Sequence, residues 1–179
     1  MKTLAIIPAG GAGRRMGGGV PKQFLPLAGV PVLVHTLRAF QRSPIIDEIF
    51  LVVPEGDMAA VRRDFVEGHG LSKVTAVIAG GTERQDSVAN ALMQVRDVHG
   101  IVLVHDGVRP FVSGELIGRV VAAADEHGAA AVGVPVRDTV KSVSTAGEVV
   151  KTVEREGLWL TQTPQAFRGQ LICAAYEKA

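Results

Sequence analysis

The chain has 179 residues, the size of one domain, with 19 Lys plus Arg against 18 Asp plus Glu and a formal net charge of +1. Near-neutrality excludes a nucleic-acid footprint or a charged membrane-surface patch, while 47% apolar and 21% charged residues supply a globular core. A single cysteine, Cys173, excludes an intramolecular disulfide, the N-terminus lacks a signal-peptide pattern, and no apolar run nears the roughly 20 residues that span a bilayer; a cytoplasmic location with no membrane partner is expected.

The first element, Leu4–Ile7, is a short apolar strand that runs directly into Pro8-Ala9-Gly10-Gly11-Ala12-Gly13-Arg14-Arg15-Met16. Glycines in such a turn let backbone N–H groups approach a ligand closely and form an anion-binding concavity. Arg15 and, beyond Pro21, Lys22 add fixed positive charge, so the turn reads as a polyphosphate site. It is not a P-loop, because no Lys-Ser or Lys-Thr pair follows the last glycine. It is not a dinucleotide fingerprint either: Met16 stands where the third glycine belongs, and Asp47 precedes the second strand instead of ending it.

Strands buried on both faces are predicted at Ile49–Val53, Val74–Ala79, Ile101–His105 and Ala130–Val134. Between them lie helical stripes: Leu33, Leu37 and Phe40; then Val88, Ala91, Leu92 and Val95; then Leu116, Ile117, Val120, Val121 and Ala124. Ser113 is the expected N-cap of the last, and Gly70 and Gly128 fall where helices should end. Alternation of this kind predicts an α/β fold with a mostly parallel sheet and helices on both faces, whose ligands sit beyond the C-terminal strand ends. Residues 8–22, 54–56, 80–86, 105–110 and 135–139 should therefore meet at one crevice. Asp138–Val143 and Glu148–Glu154, joined by Ser144–Gly147, read instead as a polar β-hairpin arm, a candidate dimer contact because an isolated hairpin is marginal in water.

At the crevice, Asp106 follows an apolar strand and faces the cationic glycine turn, a position suited to Mg²⁺, which takes one or two carboxylates plus phosphate oxygens. His105 reads as a packed strand-end side chain and not as a second ligand. In Gly80-Gly81-Thr82-Glu83-Arg84-Gln85-Asp86-Ser87, backbone N–H groups and the Ser87 hydroxyl are placed to read a base and ribose; the competing assignment is plain helix capping by Thr82 with Gln85 or Asp86. Arg137, Thr139, Lys141, Lys151 and Arg155 place donors along the arm. No Ser-His-Asp, HExxH, CxxC or paired-carboxylate arrangement occurs. Phosphoryl and nucleotidyl transfer need none, since positioning and charge stabilisation carry those reactions.

In order, PAGGAGRRM, PKQFLPLAGVPVL, GGTERQDSV, LVHDGVRPF, PVRDTVK and TPQAF resemble the 2-C-methyl-D-erythritol 4-phosphate cytidylyltransferase family over essentially the whole chain. The resemblance implies one Rossmann-like, three-layer α/β/α nucleotidyltransferase domain over 1–179, with the arm at 137–155 protruding to a homodimer partner. It implies CTP and a sugar-alcohol phosphate as substrates, with Mg²⁺. Ala9, Gly10, Gly11, Gly13, Arg15 and Lys22 would cradle the triphosphate, with Arg15 and Lys22 catalytic. Gly81, Thr82 and Ser87 would meet the cytidine, and Asp106 would hold the metal. Asp106, Arg109, Thr139, Arg155 and Thr163 would position the acceptor. Gly10 replaces a frequent family alanine, and Gly107-Val108 a frequent alanine pair. The family pattern continues past Ala179 with an acidic Thr-Asp segment, a strand and an acceptor-binding lysine that this sequence does not include. Ribitol 5-phosphate cytidylyltransferases, longer hexose 1-phosphate nucleotidylyltransferases and a non-catalytic nucleotide-binding module of the same fold are the competing readings.

Overall fold

A computed structural model of the chain describes residues 1–11, 20–95 and 99–178. Its elements are, in order, β1 (Thr3–Pro8), a 3₁₀ turn (Lys22–Phe24), β2 (Pro26–Leu27), β3 (Val30–Pro31), α1 (Val32–Arg42), β4 (Glu48–Val53) and α2 (Met58–Ala60), which runs on as a wider π-type segment (Val61–Glu67). Then come β5 (Val74–Ala79), α3 (Arg84–Leu92), β6 (Ile101–Val104), α4 (Gly114–His127), β7 (Ala129–Pro135), β8 (Val140–Val143), β9 (Val149–Val153), β10 (Trp159–Arg168) and α5 (Gly169–Tyr176).

The central sheet has the order β5-β4-β1-β6-β10-β7, with β1, β4, β5 and β6 parallel and β10 antiparallel to both its neighbours. Period-two alternation sorts the strand residues cleanly. Ala5, Ile7, Ile49, Leu51, Val53 and Leu103 face one core with Leu33, Leu37 and Phe40 of α1 and Ile117, Val120 and Val121 of α4. Leu4, Ile6, Phe50, Val52, Val102 and Val104 face the other, against Val88, Ala91 and Leu92 of α3 and Ile172 of α5. These are the three expected layers. Cys173 packs at the edge of the second core, as a small apolar filler would.

Helix ends follow local chemistry. α1 stops at Arg42 because Ser43, which precedes Pro44, is driven to extended backbone. Ser113 caps α4 by accepting from the Leu116 amide at 3.1 Å, and Gly128 ends it at φ +91, a left-handed conformation that only glycine adopts without strain. Gly70 has φ +63 but lies beyond the cap residue, Gly68.

Two expectations need correction. β7 is not buried on both faces: it is the sheet edge, pairs only with β10, and leaves Val134 exposed. β10 was not anticipated as a strand, because Thr161-Gln162-Thr163-Pro164 is polar and contains a proline that cannot donate to a ladder. The pairing with β7 shifts register between Thr161 and Gln165, the kind of irregularity where proline is tolerated inside a sheet. The hairpin arm forms as β8 against β9, its tip turned by Gly147 at φ +85. Among the described residues no helix is long and apolar enough to cross a membrane.

Candidate active site

Backbone hydrogen bonds continue past the strand ends and draw their turns together. The Ala9 amide donates to Val52 O at 2.7 Å, Gly80 to Val53 O at 2.8 Å and Gly107 to Pro8 O at 2.9 Å. A Cβ at Gly107 would lie 2.9 Å from Ala9 Cβ and 3.0 Å from Leu33 Cδ1, so its missing side chain lets the turn after β6 lie against the turn after β1. Thr36 of α1 pins the same turn, its hydroxyl donating to Gly107 O at 2.9 Å. Gly10 and Gly11 are exposed, and the Lys22 stem runs beside Gly11, Cε lying 3.9 Å from where a Cβ would be. Gly13 and Arg15, with their predicted triphosphate contacts, lie outside the described residues.

The turn after β5 is built around its first glycines. Gly81 N donates to Ser87 Oγ at 3.1 Å, and Ser87 Oγ donates in turn to Glu83 O at 3.2 Å. The buried Ser87 hydroxyl thus spends its only proton on holding the turn, and one lone pair remains. Thr82 is exposed and does not cap the helix. The capping box falls one residue later, between Glu83 and Asp86, with Glu83 N donating to Asp86 Oδ2 at 2.9 Å. A Cβ at Gly81 would collide with Asp86 Cβ. Gly81→Ala should therefore break the box and lower stability by about 1–2 kcal/mol in urea unfolding; an unchanged midpoint would show that the turn tolerates the methyl.

The turn after β6 centres on Asp106. Its Oδ1 accepts from Arg84 Nε at 3.0 Å and its Oδ2 from Arg109 Nε at 2.9 Å. Its amide donates to Thr163 Oγ1 at 3.3 Å, and Arg109 Nη1 donates to Gln162 Oε1. Burial pushes the carboxyl pKa up, but the Arg109 hydrogen bond and the Arg84 charge outweigh it and hold Asp106 below the ordinary aspartate value. Arg84 and Gln162 were not singled out from the sequence. β5 and β6 are separated in the sheet by β4 and β1, so Arg84, which follows the turn after β5, meets the end of β6 across the width of two strands.

His105 is packed, as expected, at 1% exposure, with its ring 5.1 Å from that of Phe40 and its Nε2 3.0 Å from Arg109 O. Burial lowers its pKa, an effect that the Arg109 carbonyl and the Asp106 charge only partly offset. The unfolded chain therefore binds more protons in acid, so this histidine's contribution is complete above the ordinary value of 6.5 and declines as pH falls below it. Urea stability should drop on acidification by up to about 1.4 kcal/mol per pH unit from this group. His105→Gln should flatten that slope; an identical slope in the variant would assign the loss elsewhere.

Thr139 and Arg155 are not brought to this cluster within one chain. Both are exposed on the arm, and Arg155 Nη1 donates to Arg137 O. As a metal site, Asp106 offers a single carboxylate whose two oxygens each retain lone pairs, and no group of three or more His, Cys, Asp or Glu able to hold an ion occurs among the described residues. That donor set fits an ion carried largely by phosphate oxygens, with one protein ligand.

Comparison with known proteins agrees with this geometry. The profile of the 2-C-methyl-D-erythritol 4-phosphate cytidylyltransferase family matches residues 3–179. The enzymes of that name from Syntrophus aciditrophicus and Geobacter metallireducens are 51% and 49% identical, over 99% and 100% of this chain and 76% and 78% of their own lengths. The crystal structure of the Francisella tularensis 2-C-methyl-D-erythritol 4-phosphate cytidylyltransferase superposes with a TM-score of 0.82 at 32% identity, covering 99% of this chain and 77% of that one. The 4-diphosphocytidyl-2C-methyl-D-erythritol synthase from Anaerococcus prevotii gives 0.81 at 34% identity, over 99% and 74%. With the family profile matching residues 3–179 and relatives 51% and 49% identical over almost the whole chain, the chain belongs to the 2-C-methyl-D-erythritol 4-phosphate cytidylyltransferase family.

Proposed function

We propose that the chain transfers the cytidylyl group of CTP to 2-C-methyl-D-erythritol 4-phosphate, releasing pyrophosphate. The observation that carries this reading is the meeting, at the β1 and β6 ends, of Gly10 and Gly11 beside the Lys22 stem and a carboxylate clamped between two arginines. An oxygen of the acceptor phosphate attacks the α-phosphorus in line; the new P–O bond forms as the bond to the β-phosphate bridge breaks. A phosphate with a second pKa near about 6 is already anionic at neutral pH, so no general base is required.

Ala9, Gly10, Gly11 and Gly13 line the triphosphate, and Arg15 and Lys22 stabilise the charge that grows on the α-phosphate and the leaving pyrophosphate. Gly81, Thr82 and Ser87 form the cytidine side. Asp106, Arg109 and Thr163 position the polyol phosphate. Asp106 would be the protein ligand of Mg²⁺, which when bound would supply charge neutralisation on the phosphates. The arm completes the site from a second copy: the exposed apolar side chains of Val149 and Val150 on β9, and of Trp159 at 61% and Leu160 at 55% exposure on β10, would be covered in part by a homodimer, which would carry Thr139 and Arg155 toward the partner's acceptor. Residence in the cytoplasm, where CTP is made, accords with the single cysteine.

Pyrophosphate release from CTP and Mg²⁺ tests the reading. Methylerythritol phosphate should support it and ribitol 5-phosphate and glucose 1-phosphate should not; preference for ribitol phosphate would reassign the acceptor, and release with none would leave a nucleotide-binding module.

A further inference from the structure

We propose that Arg84 is a positioning residue that ties the cytidine-side turn to the acceptor end of the cleft by fixing the Asp106 carboxylate. The inference rests on the function proposed above and adds a residue to it. Arg84 is the first residue of α3, and its backbone is set by the Glu83–Asp86 capping box and by the Gly81–Ser87 hydrogen bond. From there its Nε reaches Asp106 Oδ1 at 3.0 Å, across a sheet in which two strands separate β5 from β6. With Arg109 on Oδ2, both carboxylate oxygens are tied and the group cannot rotate freely.

Fold stability does not account for this arrangement. The Arg84 side chain is 48% exposed and that of Asp106 25%, and ion pairs that open to solvent add little to folding. What the clamp does supply is a carboxylate held in one orientation with accepting capacity left on each oxygen, able to accept from hydroxyls of a polyol phosphate.

A double-mutant cycle with Arg84→Gln and Asp106→Asn tests this. Two quantities are read: kcat and KM for the polyol phosphate, and the calorimetric Kd of methylerythritol phosphate in the presence of a CTP analogue with a methylene at the α,β-bridge. Arg84→Gln should raise acceptor KM and Kd about tenfold while the Kd of the analogue itself stays within twofold, and Arg84→Lys should restore part of the loss. In the Asp106→Asn background the same change should add less than twofold. Losses that multiply in the double variant, or a weakening confined to the nucleotide, or a change in melting temperature alone, would overturn the proposal. Transfer by the wild type to a different polyol phosphate would sink the acceptor assignment and leave the cycle readable with that acceptor.

Discussion

Lys22→Ala should lower kcat for pyrophosphate release by about 10²–10³-fold, the loss seen when one preorganised charge-stabilising donor is removed, while shifting urea stability by less than about 0.5 kcal/mol. The asymmetry follows from where the residue sits. Lys22 opens the 3₁₀ turn, is only partly buried, keeps its stem beside Gly11 and is paired with no other described residue, so the fold does not depend on its ammonium. In the proposed mechanism a triphosphate would supply the missing counter-charge, and demand on the cation would rise as the α-phosphorus bond breaks. The KM for CTP should therefore change less than kcat, and Lys22→Arg should recover part of the rate. Steady-state kinetics beside a urea titration check this; a variant that unfolds, or one that turns over normally, removes Lys22 from the mechanism.

Asp106→Asn should cost about 10²-fold in kcat/KM for the acceptor, since a hydrogen bond from the acceptor to a charged carboxylate is worth roughly 1.5–3 kcal/mol and the neutral amide cannot replace it. Arg84 and Arg109 would face each other across a neutral amide, which can accept through only one of its two ends. The Mg²⁺ concentration for half-maximal rate should rise in the same variant if the carboxylate ligates the ion, and EDTA should abolish transfer by the wild type. Measuring acceptor and Mg²⁺ dependence separately distinguishes the two roles: a shift only in acceptor KM makes Asp106 a substrate group, and no shift in either eliminates it from the site.

Some elements were readable because local chemistry decides them alone. The stripe Leu33, Leu37 and Phe40 buries one helix face, the Ser113 cap and the Gly128 stop bound another, and the alternation of Leu4 and Ile6 with Ala5 and Ile7 divides two cores. The turn at Asp106 and the packed state of His105 were legible for the same reason: both sit at the end of a strong apolar strand. β10 was not, since Gln162, Thr163 and Pro164 have no strand preference and are held extended by β6 and β7 on either side. β7 misled in the other direction, because an alanine- and valine-rich run looks alike at the centre of a sheet and at its edge.

The sequence by itself determined the layered α/β class and the family, because periodicity, caps and ordered short motifs act over a few residues. Only the tertiary structure decided which charges meet. Arg84 reaches Asp106, and Gln162 reaches Arg109, through strand order. Such contacts join residues 22 and 53 positions apart, a separation over which local propensity carries no information and chain packing alone sets the distance.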